Sequence, residues 1–194
     1  AAGEALWWEL NGDPVQPIRP RRPMHKTLSR GGSLGAAVTD PMELYAWLVR
    51  NLERLIEELR YHEVRPGRVT LWVSYRHGEF RVAPTRLAPP TERFDMLIEA
   101  LRPCLRRCWI PKAAAERMHL IADDLMPRTE TQLGLFDPAG QAEQAEAVAR
   151  LKEQVNERHG RFMLRSAATL PLKAIYRDPA NGHDICDVRG KMCF

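Results

Sequence analysis

No stretch of this sequence approaches the roughly 20 apolar residues of a membrane span, and its start lacks the charged-then-apolar layout of a secretion leader. The expectation is a soluble cytoplasmic chain with no membrane partner, and the initial Ala1 suggests a fragment. Cysteine is scarce: Cys104 and Cys108 stand at helical spacing and Cys186 and Cys193 lie in the tail, without the repeated CxxC pairs of a strong zinc signal. All four are read as free thiols. A Gly-rich phosphate loop is missing, because Gly31-Gly32 lacks the Lys-Ser/Thr continuation, and that pair is read as a bend or bulge. There is no internal repeat. Charge of one sign is not in great excess either. With 29 basic against 25 acidic residues, a net +4 and a pI near 9.0, an anionic partner is favoured, but the placement of charge decides.

What is present, over 194 residues and 22.2 kDa, suffices for one well-packed domain with extensions. Residues 1–10 read as the end of a helix stopped by Asn11-Gly12-Asp13-Pro14, and residues 15–24 as an extended linker with three prolines and Arg19, Arg21 and Arg22. Residues 26–35 (KTLSRGGSLG) form a first strand. Asp40 then caps a helix with Pro41 at its first position, and Leu44, Tyr45, Leu48, Leu52, Leu55, Ile56 and Leu59 give it an apolar stripe to about Tyr61, with Pro66-Gly67 ending the element.

Residues 68–76 alternate. Val69, Leu71, Val73 and Tyr75 face a core, while Arg68, Thr70, Trp72, Ser74 and Arg76 face away. His77-Gly78 turns the chain into a return strand over 79–87. A second helix is expected over 91–109, with Phe94, Leu97, Ile98, Leu101, Leu105 and Cys108 inward and a bend at Pro103, and a last strand over 116–125. The order strand, helix, strand, strand, helix, strand makes an α+β, two-layer sandwich. Its four-stranded antiparallel-type sheet carries two helices on one face, and the other face is open. A polar helix over 141–159 and a strand over 162–167 belong to a C-terminal helical extension. The expected boundaries are 1–13, 14–25, 26–126, 127–140 and 141–194.

Two features carry function. Gln132-Leu133-Gly134-Leu135-Phe136 stands in a breaker-rich linker: Leu133, Leu135 and Phe136 can fill a partner's pocket while the Gln132 amide bonds at its rim. Burying Leu135 and Phe136 is worth about 1.5–3 kcal/mol each, which offsets the cost of ordering the segment. The second feature is the open sheet face, where Arg68, Thr70 and Arg76 of one strand and Lys26, Thr27, Ser29, Arg30 and Ser33 of its expected neighbour offer cations, hydroxyls and backbone N–H groups to phosphates, and where the Trp72 indole either packs under a neighbouring segment or contacts a partner. An ordinary solvated face is the plain alternative. Asp123-Asp124 are read as solvated or capping residues rather than metal ligands.

Taken together, residues 69–87 with the following helix, the 26–35 strand and QLGLF resemble the little finger and clamp-binding peptide of Y-family translesion DNA polymerases. Residues 6–23 resemble the last thumb helix and tether of that family. Gly32-Ser33-Leu34-Gly35 resembles the end of the UmuC-type first strand, with Gly32 where an Arg is expected, and residues 151–167 resemble the extra C-terminal region of the UmuC (ImpB/MucB/SamB) branch. The likeness fades after about Ala168. It implies binding to damaged or primer-template DNA and to the ring-shaped sliding clamp in DNA damage tolerance and the SOS response, with a UmuD-like subunit and RecA as further family partners. It implies no catalytic residue, metal site or cofactor in this chain, since Mg2+ would be held by a palm domain upstream of Ala1. Two other readings stay open: a catalytically inactive, polymerase-like adaptor that recruits another enzyme to the clamp, and a zinc-dependent protein-binding tail built on His183, Cys186 and Cys193 with Asp184 or Asp187.

Overall fold

A computed structural model describes residues 2–15, 25–128, 139–160 and 162–177. Helix α1, Ala2–Leu10, ends where the Asn11 N–H donates to the Trp7 carbonyl at 3.1 Å and Gly12 adopts a φ of 93°. Helix α2, Pro41–Tyr61, starts as its sequence predicts: Asp40 Oδ1 accepts from the Met42 N–H at 3.1 Å, with Pro41 first in the helix. Its stripe of Leu44, Leu48, Leu52, Leu55 and Leu59 is fully buried.

The end of α2 differs from expectation. His62 caps it and Glu63 takes the left-handed turn at a φ of 52°, so Pro66-Gly67 is not a terminator but part of strand β2, Val64–Tyr75. Proline is tolerated there for a geometric reason. The Pro66 carbonyl points away from β4 and accepts from the Thr91 N–H at 3.3 Å. Its ring nitrogen points to that same side, beyond the last pair that β2 makes with β3, Arg68 with Arg86.

Strands β1 (Leu28–Val38), β2, β3 (Phe80–Arg86) and β4 (Ala115–Pro127) form one antiparallel sheet in the order β1-β4-β2-β3. The strand carrying Ser29 is therefore not the neighbour of the one carrying Trp72; β4 lies between them. Alternation along β2 is as expected, with Val69, Leu71, Val73 and Tyr75 buried and the Tyr75 hydroxyl donating to the Cys108 carbonyl at 2.6 Å. Helix α3, Phe94–Cys108, is shorter than predicted and includes Pro103. Cys104 is buried where Leu105 was expected to be, and Leu105 is only half-buried. Both helices cover one sheet face, which gives the α+β sandwich.

The last described part packs on α2. Helix α4, Ala139–His159, is followed by turns and a 3₁₀ helix, Ala167–Leu172, in place of the strand expected over 162–167, and then by the short α5, Lys173–Arg177. Ser166 caps the 3₁₀ helix, and Thr169 and Leu172 are buried. This explains why α2 buries charge as well as leucine. The Arg50 guanidinium lies 5.3 Å, 5.9 Å and 5.8 Å from the rings of Trp47, Phe162 and Tyr176. Glu53 accepts from Lys152 and from the Ser166 N–H, and Arg60 pairs with Glu153 at 2.5 Å.

Candidate nucleic-acid interface

Because β-strand side chains alternate, the register of the sheet fixes what stands beside what on the face that no described helix covers. Across β1, β4, β2 and β3 in turn, one row reads Ser29, Ile121, Thr70, Pro84; the next Gly31, His119, Trp72, Val82; the third Ser33, Arg117, Ser74, Phe80. At one end Arg68 stands between Asp123 and Arg86. Gly31 lets β1 close on β4: a Cβ there would lie 2.1 Å from the Met118 carbonyl oxygen.

The predicted residues divide into three groups. Ser29, Ser33, Thr70, Trp72, Arg68 and Arg76 do lie on or beside the open face, although on strands separated by β4. Lys26 and Thr27 are exposed but precede β1. Arg30 is turned to the helix layer, where it pairs with Glu58 of α2, because it is one residue out of phase with Ser29. Two of the expected phosphate contacts are already engaged. Arg68 is bonded to Asp123 and lies 3.6 Å from Asp124, and Arg76 pairs with Glu116 at 3.1 Å. Asp123 is thus an ion-pair partner, neither free nor a cap. No cluster able to hold a metal ion occurs among the described residues.

Sequence reasoning missed the most available cations. Arg117 and Arg86 are exposed and have no ion pair among the described residues. Their signal was legible: Met118, Leu120 and Ala122 alternate inward, so Arg117, His119 and Ile121 must point out. Also missed was an apolar island. Trp72 stacks with Phe80 at 6.4 Å between centroids and 26° between planes, and meets the His119 ring edge-on at 5.5 Å. Phe80 remains 58% exposed and Val82 50%. Burial, then the Arg117 charge, holds the His119 imidazole below its usual range, so the ring is neutral near pH 7.

Cys108 is no nucleophile, since burial pushes its thiol up to about 11. Gln132, Leu133, Leu135 and Phe136 lie outside the described residues, as do His183, Cys186 and Cys193. No described helix is long and apolar enough to cross a membrane.

A search of curated proteins gives no match. Among solved structures, the chain is similar to the PolIV little finger in "Complex of beta-clamp processivity factor and little finger domain of PolIV" (15% identity, TM-score 0.44, 57% of this chain and 98% of that one). It is also similar to Dbh DNA polymerase in a post-insertion binary complex (12%, TM-score 0.43, 65% and 36%) and to DinB from Sulfolobus solfataricus (14%, TM-score 0.41, 65% and 36%). The chain thus spans about a third of the length of those two polymerases. Residues 25–135 match the impB/mucB/samB family C-terminal domain. With more than half of its sequence occupied by that domain, running from just before β1 through the open-faced sheet, the chain belongs to the impB/mucB/samB family.

Proposed function

We propose that this chain is the DNA- and sliding-clamp-holding C-terminal part of an error-prone Y-family translesion polymerase acting in the cytoplasm on damaged DNA, with the chemistry carried upstream. One observation supports it above the others: the family domain with its uncovered sheet face runs into the QLGLF peptide without a break, the match ending at Leu135. A sheet face with exposed arginines and hydroxyls holds phosphates without reading sequence, and a peptide anchor a few residues away holds a partner. Joined by a short linker, two modest contacts gain avidity with no new bond. On the same reading, residues 141–194 are the part available to a UmuD-like subunit or a RecA filament.

The test separates the two activities. Leu135→Ala combined with Phe136→Ala abolishes binding to the sliding clamp and leaves affinity for primer-template DNA within about twofold of the unaltered chain, as expected for a hot-spot anchor. Undiminished clamp binding by this variant would sink the proposal. The upstream reading frame tells polymerase from inactive adaptor: a palm with paired carboxylates supports the first, a start codon just before Ala1 the second.

A further inference from the structure

We propose that the apolar island formed by Trp72, Phe80 and Val82 is a stacking site for an unpaired nucleobase of single-stranded template next to the duplex. This rests on the DNA-holding reading and adds a ligand class to it. The island stands on a face that also carries the hydroxyls of Ser29, Ser33, Thr70 and Ser74 and the guanidinium groups of Arg68, Arg86 and Arg117. Val82 is the cross-strand partner of Trp72, and Phe80 sits diagonally from it on the edge strand β3, so the three form one contiguous surface open to solvent.

A base-paired duplex cannot satisfy such a surface. It presents phosphates and groove edges outward, and the flat faces of its bases are already covered by their neighbours. An unpaired base has a free flat face, and stacking on an aromatic side chain suits any base, because every base has one. The electrostatics fit the same ligand. Arg117 lies across Ser74 from Phe80, and Arg86 lies further along β3, so cations stand on two sides of the island to meet the phosphates flanking a stacked base. His119 presents its ring against Trp72 and keeps the stack from shifting toward β4.

The experiment measures binding of the whole chain to three labelled DNAs of equal duplex length: blunt, with a single-stranded 5′ overhang, and with an overhang of abasic sites that keeps the phosphates and removes the bases. The base-bearing overhang is expected to bind at least about fivefold more tightly than the abasic one, the low end for stacking one base on an aromatic. Phe80→Ser, at an exposed position, erases that difference and leaves blunt-duplex binding unchanged, and Trp72→Leu erases it as well. Trp72→Phe keeps most of it. Equal binding to the two overhangs by the unaltered chain overturns the inference, and so does an equal loss on blunt duplex in Phe80→Ser. In either case the DNA-holding reading stands if Arg117→Glu with Arg86→Glu still weakens all three DNAs. If that double variant changes nothing, both fall.

Discussion

An arginine bonded to a carboxylate offers a phosphate only what is left after that bond is exchanged. This ranks the cations of the open face. Arg68, held by Asp123 and Asp124, and Arg76, paired with Glu116, are the weaker contributors. Arg117 and Arg86, with no such partner among the described residues, are the stronger ones. Arg117→Glu and Arg86→Glu should each weaken DNA binding more than Arg76→Glu, and each neutral replacement should lower the salt slope of log affinity by about one. Titrations at several salt concentrations check this. Equal effects at all four arginines would mean that the ion pairs open freely. Two histidines set a pH dependence of stability. His62 is held below the ordinary 6.5 by burial, then by His25 and Arg30, and His119 by burial, then by Arg117. As pH falls through 6.5, the unfolded chain takes up protons that these folded imidazoles resist, so their stabilising contribution, complete above that value, is lost on acidification. Thermal melts from pH 7.5 to 5 should show a falling Tm, and His119→Gln should flatten part of the fall.

At the scale of elements, local chemistry was readable and long-range pairing was not. The Asp40-Pro41 cap, the leucine stripe of α2 and the alternation of β2 each follow from a few consecutive residues, and each is found where the sequence puts it. The place of β4 between β1 and β2 joins segments about 90 residues apart, and no local signal encodes it. The phase error at Arg30 has a related cause: β1 carries three glycines, and its buried side chains, Leu28, Leu34 and Val38, stand too far apart to show a period of two. The same glycines make a testable joint. Gly31→Ala places a methyl against the Met118 carbonyl, so β1 and β4 must part, at a cost of about 1–3 kcal/mol if the strain resembles overpacking elsewhere. Chemical denaturation measures it, and an unchanged midpoint would show that the strands can shift freely. The C-terminal elements form a second joint. The Phe162 and Tyr176 rings close over Arg50 on α2, in the helix layer, and among the described residues Leu172 joins the core with Ala168, Ile175 and Tyr176 packed beside it. Removing residues 161–194 should therefore leave the sheet domain folded with a lowered Tm, and leave DNA affinity unchanged. Loss of DNA binding in that truncation, with folding intact by circular dichroism, would place the DNA surface elsewhere.

For the molecule as a whole, the proposed division of labour is spatial. The open sheet face and the helix layer are opposite surfaces of the described domain, and occupation of one leaves the other accessible. The register of β1 adds a mechanical consequence. Leu28, at the start of β1, is paired with Ala122 near the end of β4, so the chain enters and leaves the sheet at the same end, on adjacent strands. Antiparallel hydrogen bonds run perpendicular to the strands. Tension between His25 and Arg128, the sense in which a load between an upstream body and a tethered downstream peptide would act, therefore falls on these bonds one after another. Pulling a single molecule through His25 and Arg128 should peel β1 away at a lower force than pulling through His25 and Ala115, which loads the same ladder in shear. The domain would then behave as a fuse, yielding at its first strand under strain before its core of buried leucines is disturbed.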